Sequence, residues 1–444
     1  MAATWSTEQV LALSPDANST KNGQKLATPT KWATLGKTGA FVWGACQGSG
    51  KKPYQAQIHL DGPAFRCSCP SRKFPCKHAL GLFLLLAQQA DLFTTTEPPT
   101  WVAEWMEKRQ KSAPAPPQAS TKLVDPAAQA KRVQKREAKI QAGLDELDRW
   151  LQDLMRQGLA AAQTQPYRFW DDIAARMVDA QAPGLARRLR SLAGIPHSGP
   201  GWVDRLLAEL GKLHLLIQGY RKAETLAAGM RAEVRSQIGW NQSQDELLAL
   251  AEQQDTAVTQ IRDRWTVLGT RMLKEEQLRV QRLWLWGETC NRPALFLSFA
   301  YGKQPLEIPL VPGVVVDAEL VFFSGAYLLR VLIKQLHGTP QLPTALPGIY
   351  SVADAIAVYA QALQQNPWLE RIPLVLDAVV PELVGDRWRL RDLNHDWLPL
   401  DPKNGWDWEL LALSGGHPIT VAGEWDGFAF YPLSVWADGR MVLF

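Results

Sequence analysis

Phe65-Arg66-Cys67-Ser68-Cys69-Pro70-Ser71-Arg72-Lys73-Phe74-Pro75-Cys76-Lys77-His78-Ala79-Leu80 is the stretch on which the reading of this chain turns. Cys67, Cys69, Cys76 and His78 stand in the pattern Cys-x-Cys-x6-Cys-x-His. Three thiolates and one imidazole make a closed tetrahedral set, which suits Zn²⁺ and leaves no open position for water. Soft sulfur and borderline nitrogen select zinc over magnesium or calcium. One structural zinc ion is therefore expected, contributing roughly 10–16 kcal/mol of apparent binding energy to folding. The competing reading, four unligated buried side chains, gives no reason for these types to gather within twelve residues.

The spacing has mechanical content. Cys67 and Cys69 are two apart, so on a strand both point to one face. Pro70 turns the chain, and Pro75 fixes the approach to Cys76 while holding Phe74 extended. Cys76 and His78 then stand at the entrance of an apolar helix reading Ala79–Asp91. Upstream, Ala40–Trp43 and Tyr54–Leu60 read as short strands around the turn-rich Gly48-Ser49-Gly50-Lys51-Lys52-Pro53. One metal would join a hairpin to a helix, and Cys69→Ser is expected to unfold residues 1–93.

The charge is uneven around this segment. The chain of 444 residues has a net charge of +4, yet residues 1–140 carry 19 Lys and Arg against 9 Asp and Glu. The remainder is net −6, and residues 21–90 hold ten basic groups against the single acid Asp61. Lys51 and Lys52 on the hairpin, with Arg66, Arg72, Lys73 and Lys77 at the metal loop, form a basic face that could contact phosphates. Phe74 at the loop tip could stack on a base. Arg132, Lys135, Arg136 and Lys139 could extend that footprint. The alternatives are a solvated face, or one that docks on the chain's own acidic remainder.

The metal motif resembles the SWIM zinc finger, Cys-x-Cys-x(n)-Cys-x-His. Together with Trp43-Gly44-Ala45-Cys46-Gln47-Gly48-Ser49-Gly50 it is similar to bacterial SWIM zinc finger family proteins of similar length, over about a fifth of the chain. The resemblance implies a small ββα zinc module that binds protein or nucleic acid rather than performing catalysis. Bacterial members are often encoded beside MoxR-type ATPases and von Willebrand-A-type proteins, so it implies a protein partner of that kind.

Beyond the finger, the length calls for two or three domains. Residues 94–130, rich in Pro and Ala, read as a linker in which Trp101, Trp105 and Met106 could dock as a small plug. Residues 131–275 read as helical, on three stripes. The first is Val133, Ile140, Leu144, Leu147, Leu151 and Leu154; the second is Val203, Leu206, Leu207, Leu210, Leu213 and Ile217; the third is Val258, Ile261, Trp265, Leu268 and Met272. A helical bundle buries such stripes; a coiled coil offered to a partner is the alternative. Residues 280–444 read as an α+β domain, with strand-like Leu295–Tyr301, Val314–Phe323 and Tyr327–Ile333 and a helix capped by Ser351. The fold class is thus α+β and multidomain.

Other candidates weigh less. Gly48-Ser49-Gly50-Lys51-Lys52 fails the Walker pattern at both ends. Cys46 is either an alternative ligand or a small buried hydrophobe, and Cys290 takes the latter reading. His59 is a strand histidine or a neighbour of the metal, and His214 a packing histidine. Asp171-Asp172 suit a helix start, while Asp145, Glu146 and Asp148 suit a solvated face. No His-Glu-x-x-His, Gly-x-Ser-x-Gly or Gly-x-Gly-x-x-Gly stands in a fitting context, so no enzymatic role is expected. The longest apolar run, Ala79–Ala87, is too short to span a bilayer. The start, MAATWSTEQV, lacks a basic stretch before an apolar core, and the cysteines cluster without an even pairing, so a cytoplasmic location is expected. The sequence therefore reads as a zinc-binding adaptor or regulatory component, with nucleic-acid binding as the alternative.

Overall fold

A computed structural model describes residues 5, 7–14, 17–47, 52–60, 64–71, 75–112, 126–256, 258–275, 278–301, 310–346 and 351–444. The first unit contains α1 (Thr7–Ala12), α2 (Ala17–Leu26), β1 (Trp32–Thr38), β2 (Phe41–Cys46), β3 (Tyr54–His59), β4 (Ala64–Cys67), α3 (Lys77–Gln88) and α4 (Thr100–Ser112). The strands pair antiparallel in the order β1-β2-β3-β4. Strand alternation sends Val42, Ile58 and Phe65 to one face, where α3 covers them with Leu80, Leu82 and Phe83. The other face carries Phe41 and Ala64 beneath Trp105 of α4, whose ring stands edge-on to Phe41 at 5.5 Å.

The segment Lys77–Gln88 is apolar nearly all round because it is covered on both sides, by the sheet and by α1 and α2. Gly81 permits the close crossing with α2: a Cβ there would lie 2.6 Å from Leu26 Cβ. The expected ββα module is thus the inner part, β3-β4-α3, of a larger unit. The first half of the expected linker also belongs here. Thr95 bridges Lys37 of β1, and α4 docks through Trp105 and Met106. Residues 113–125 lie outside the described residues.

The second unit contains α5 (Pro126–Gln157), α6 (Tyr167–Asp179), α7 (Pro183–Leu192), α8 (Trp202–Arg221), α9 (Ala228–Ile238) and α10 (Gln244–Glu252). Ile140, Leu144, Leu147, Leu151 and Leu154 are buried against Trp170, Leu189, Leu210 and Ile217, so the first stripe is core. Three stripe members are not: Val133, Val203 and Leu207 are exposed. Leu207 lies one residue, about 100° of helix, off the buried row Leu206, Leu210, Leu213 and Ile217. His214 is an exposed histidine facing Asp148, not a packing one. Asp148 is not solvated; it and Asp145 receive the two ends of the Arg221 guanidinium at 2.8 and 2.7 Å. Asp171 and Asp172 sit in the second turn of α6, where they pair with Arg190 and Arg168.

The helical region ends at Glu252, and the third stripe is not a helix. It lies across β5 (Gln260–Glu275), which with β6 (Leu278–Gly287), β7 (Pro293–Tyr301), β8 (Val315–Phe322) and β9 (Arg330–Gln341) forms a closed barrel in the order β5-β6-β7-β9-β8. β5 is buried on both sides only over Trp265–Gly269, since Arg262, Arg264 and Met272 are exposed. Trp265 and Val267 point into the barrel, and after a bulge Leu268 packs outward against the next sheet. That sheet follows α11 (Val352–Gln365) and contains β10 (Ile372–Val384), β11 (Arg387–Arg391), β12 (Trp397–Pro399), β13 (Ile419–Trp425), β14 (Phe430–Ala437) and β15 (Arg440–Leu443), with α12 (Asp407–Ser414) before β13. The Ser351 hydroxyl caps α11 by accepting from Asp354 N at 2.9 Å, as the sequence suggested.

Tryptophans join the units. Trp368 Nε1 donates to Lys212 O of α8, and Trp284 Nε1 of the barrel donates to buried Glu424 of β13 at 2.8 Å. Glu424 also accepts from Arg271, which Asp401 shares. The apolar core of the first unit continues into the barrel interior as one cluster. Among the described residues no helix is long and apolar enough to cross a membrane.

Candidate metal centre

β4 ends at Cys67, which pairs with Ala56 of β3 and so lies on the sheet face that α3 covers. Ser68 continues the ladder: its N–H donates to Gln55 O, and its hydroxyl accepts from Gln55 N at 2.9 Å. The chain then turns, bringing Cys69 back toward Cys67. On the other side Cys76 takes the extended N-cap position of α3, with its sulfur accepting from Ala79 N at 3.5 Å. His78 follows in the first turn, buried, with Tyr54 packed on its ring at 4.7 Å. The four ligand atoms all lie within 4.8 Å of one another, and Cys67 Sγ is 3.9 Å from His78 Nδ1.

The thiols act on one another. Hydrogen bonds from Cys67 and Cys76 hold the Cys69 thiol far below its usual range, while the same bond to Cys69 pushes Cys67 up. Cys76 is drawn down by Cys67 but driven up by Cys69 and by burial, reaching about 11. Three thiolates this close repel unless a cation stands among them, and the helix N-terminus behind Cys76 favours negative sulfur. The donor set fits zinc. Cys67, Cys69, Cys76 and His78 are positioned to bind one zinc ion.

Neighbouring candidates fall outside the set. Cys46 is fully buried in the core beside it, its thiol raised by burial, so the small-hydrophobe reading holds. His59 stacks on Phe41 at 4.4 Å, on the face turned away from Cys67. Arg66 is also on that opposite face, half-buried across from Gln57. Lys52 and Lys77 are exposed at the metal end of the sheet. Lys51, Arg72, Lys73 and Phe74 lie outside the described residues.

The structure adds Lys31, which sequence reasoning missed. Its carbonyl accepts from Gln47 N, and its side chain, exposed, acts with Lys77 on Cys46. Thirty-six positions before Cys67, it gives no local signal of this placement. Arg136, by contrast, leaves the footprint: it donates to Gly239 O and stacks 4.5 Å over Trp240.

Residues 64–87 match the family model of the SWIM zinc finger, and residues 135–238 match the SWIM-associated four-helix bundle domain. The chain carries a SWIM zinc finger and a SWIM-associated four-helix bundle domain. The second match covers α5 to α9, so the finger and the buried leucine bundle are parts of one SWIM arrangement. No curated protein and no solved structure matches the chain.

Proposed function

We propose that this SWIM protein is a non-enzymatic interaction protein whose zinc-ordered finger offers a basic end to an acidic surface of a protein partner. One observation carries the reading. Lys31, Lys52 and Lys77 are exposed at the metal end of the sheet, and none forms an ion pair among the described residues. Where acids elsewhere form ion pairs among the described residues, their partners lie outside the finger, as Asp145 and Asp148 meet Arg221, Glu370 meets Arg187 of the bundle, and Glu382 meets Arg389 and Arg391. This argues against self-masking of the finger by the acidic remainder. A MoxR-type ATPase or a von Willebrand-A-type protein is the partner class to test first. Nucleic acid is the second reading, because unpaired lysines also suit phosphates.

The test uses the zinc-loaded full chain and its Lys31→Glu/Lys52→Glu/Lys77→Glu variant. Each is mixed with the purified candidate partners and, separately, with duplex and single-stranded DNA and RNA across a salt series. A nuclease-resistant protein complex lost in the variant supports the adaptor. Nucleic-acid binding with a steep salt slope, and no protein complex, would replace it with the second reading.

A further inference from the structure

A cavity of about 970 Å³ opens where the first turn of α9, the β8–β9 turn and the loop after β6 meet α11. Its walls carry the rings of Trp286, Phe322 and Tyr327 and one cation, Arg292; no aspartate or glutamate is among its described lining residues. The Arg292 guanidinium is held in place. One end donates to Leu328 O at 3.1 Å, and the group lies 5.0 Å from the Phe322 ring centroid. Its Nε is buried without a hydrogen-bond partner, and it makes no ion pair among the described residues. A guanidinium sheltered in this way and lacking a carboxylate is unfavourable unless an anion completes it.

The carboxylates nearest the walls are engaged elsewhere: Glu233, behind Gly325, accepts from Gln237 at 2.7 Å, and Asp263 is held by backbone N–H groups. The Asp263 carboxylate accepts from the N–H groups of Thr289 and Cys290 at 3.0 and 2.7 Å, fixing the loop that leads to Arg292. Asn291 completes that turn at φ 45°, a left-handed conformation asparagine tolerates. Burial and Asp263 push the Cys290 thiol up to about 11, so it stays neutral and brings no negative charge to the wall. Across the cavity, α9 begins without a side-chain cap. Gly229 in its first turn allows a close approach, since a Cβ there would lie 2.7 Å from Gly325 O. A helix start of this kind favours negative charge.

We propose that this junction cavity binds a small organic anion, a carboxylate or phosphate on a planar apolar group. Its charge meets Arg292, and its planar part lies among Trp286, Phe322 and Tyr327. The volume is that of an ordinary small-molecule site. Because the walls come from the bundle, the barrel and α11, one ligand would touch all three.

The test is isothermal titration of the zinc-loaded full chain with phenyl phosphate, benzoate and neutral benzyl alcohol. One of the two anions is expected to bind at one site per chain, identifying phosphate or carboxylate, and benzyl alcohol not to bind over the same range. Arg292→Gln should weaken that binding roughly tenfold or more, the size of a lost charge-assisted hydrogen bond. Because Arg292 also bonds Leu328 O, exposed Ser324→Asp is the second variant: it places a carboxylate at the rim without touching the Arg292 contacts, and should also weaken binding. Failure of both anions, equal binding by both variants, or equal binding of benzyl alcohol would overturn the proposal.

Discussion

Leu147→Lys separates a bundle core from a partner seam, and the structure gives the size of the effect. Leu147 is fully buried in α5 with Leu144, Leu151, Trp170 and Leu189 in the same cluster. Lysine keeps the carbon stem but is longer, and overpacking the site costs about 1–3 kcal/mol. Its amine must stay neutral there; discharging a group of ordinary pKa about 10.4 at pH 7, at 1.36 kcal/mol per unit, costs about 5 kcal/mol. Together these reach roughly 6–8 kcal/mol, against a total stability on the order of 5–15 kcal/mol for a domain. Leu147→Lys should therefore lose the bundle, seen as lost far-ultraviolet circular dichroism and rapid proteolysis between residues 126 and 252. Leu147→Ala should stay folded but melt earlier. A Leu147→Lys protein with native dichroism and protease resistance that loses only a partner would refute the core assignment and restore the seam.

Further outcomes follow from the same structure. From the sequence alone, Cys69→Ser is expected to unfold residues 1–93. With the sheet packed on α3, it should instead abolish zinc binding and remove hydrogen-exchange protection at Ser68 and at Lys77–Ala79, while β2 and β3 amides stay protected by Val42, Ile58, Phe65 and Phe83. Exchange of the whole first unit at unfolded rates would show that the metal alone holds it. Ser351→Ala removes the cap of α11 and should cost about 1 kcal/mol, read as a lower urea midpoint with unchanged slope. Burial alone would raise Asp263, but the N–H groups of Cys290 and its neighbours outweigh it and hold the carboxyl below its ordinary value. A depressed pKa contributes stability that is complete above the ordinary carboxylate range and is lost as pH falls through the folded value. Acid should therefore loosen the 288–291 loop in wild type, and Asp263→Asn should already be destabilised at neutral pH and lose that acid step. An unchanged acid profile in Asp263→Asn would count against it.

The metal site was legible because its chemistry is local. Four ligands within twelve residues, two prolines and an apolar helix already specify one ion between a strand end and a helix start. The first helical stripe was legible for a similar reason, since Ile140 to Leu154 repeat on one face of a long, uninterrupted helix. Val258, Ile261, Trp265, Leu268 and Met272 misled. Over Trp265–Gly269 β5 is buried on both faces and carries a bulge between Val267 and Gly269, so its apolar residues do not alternate there and their spacing imitates a helix. Thr266, Val267, Thr270 and Gly269 were the signal against a helix there. Lys31 and the junction cavity depend on contacts between distant segments, which no local pattern encodes.

The most direct test of the account is X-ray absorption at the zinc edge, with metal analysis, on the purified full chain. The account predicts one zinc per chain with three sulfur ligands at about 2.3 Å and one nitrogen at about 2.0–2.1 Å. Loss of the zinc signal in Cys69→Ser, and no change in Cys46→Ser, should accompany it. A zinc with oxygen ligands, a fourth sulfur from Cys46, or a chain that folds and binds its partner with no metal would contradict it.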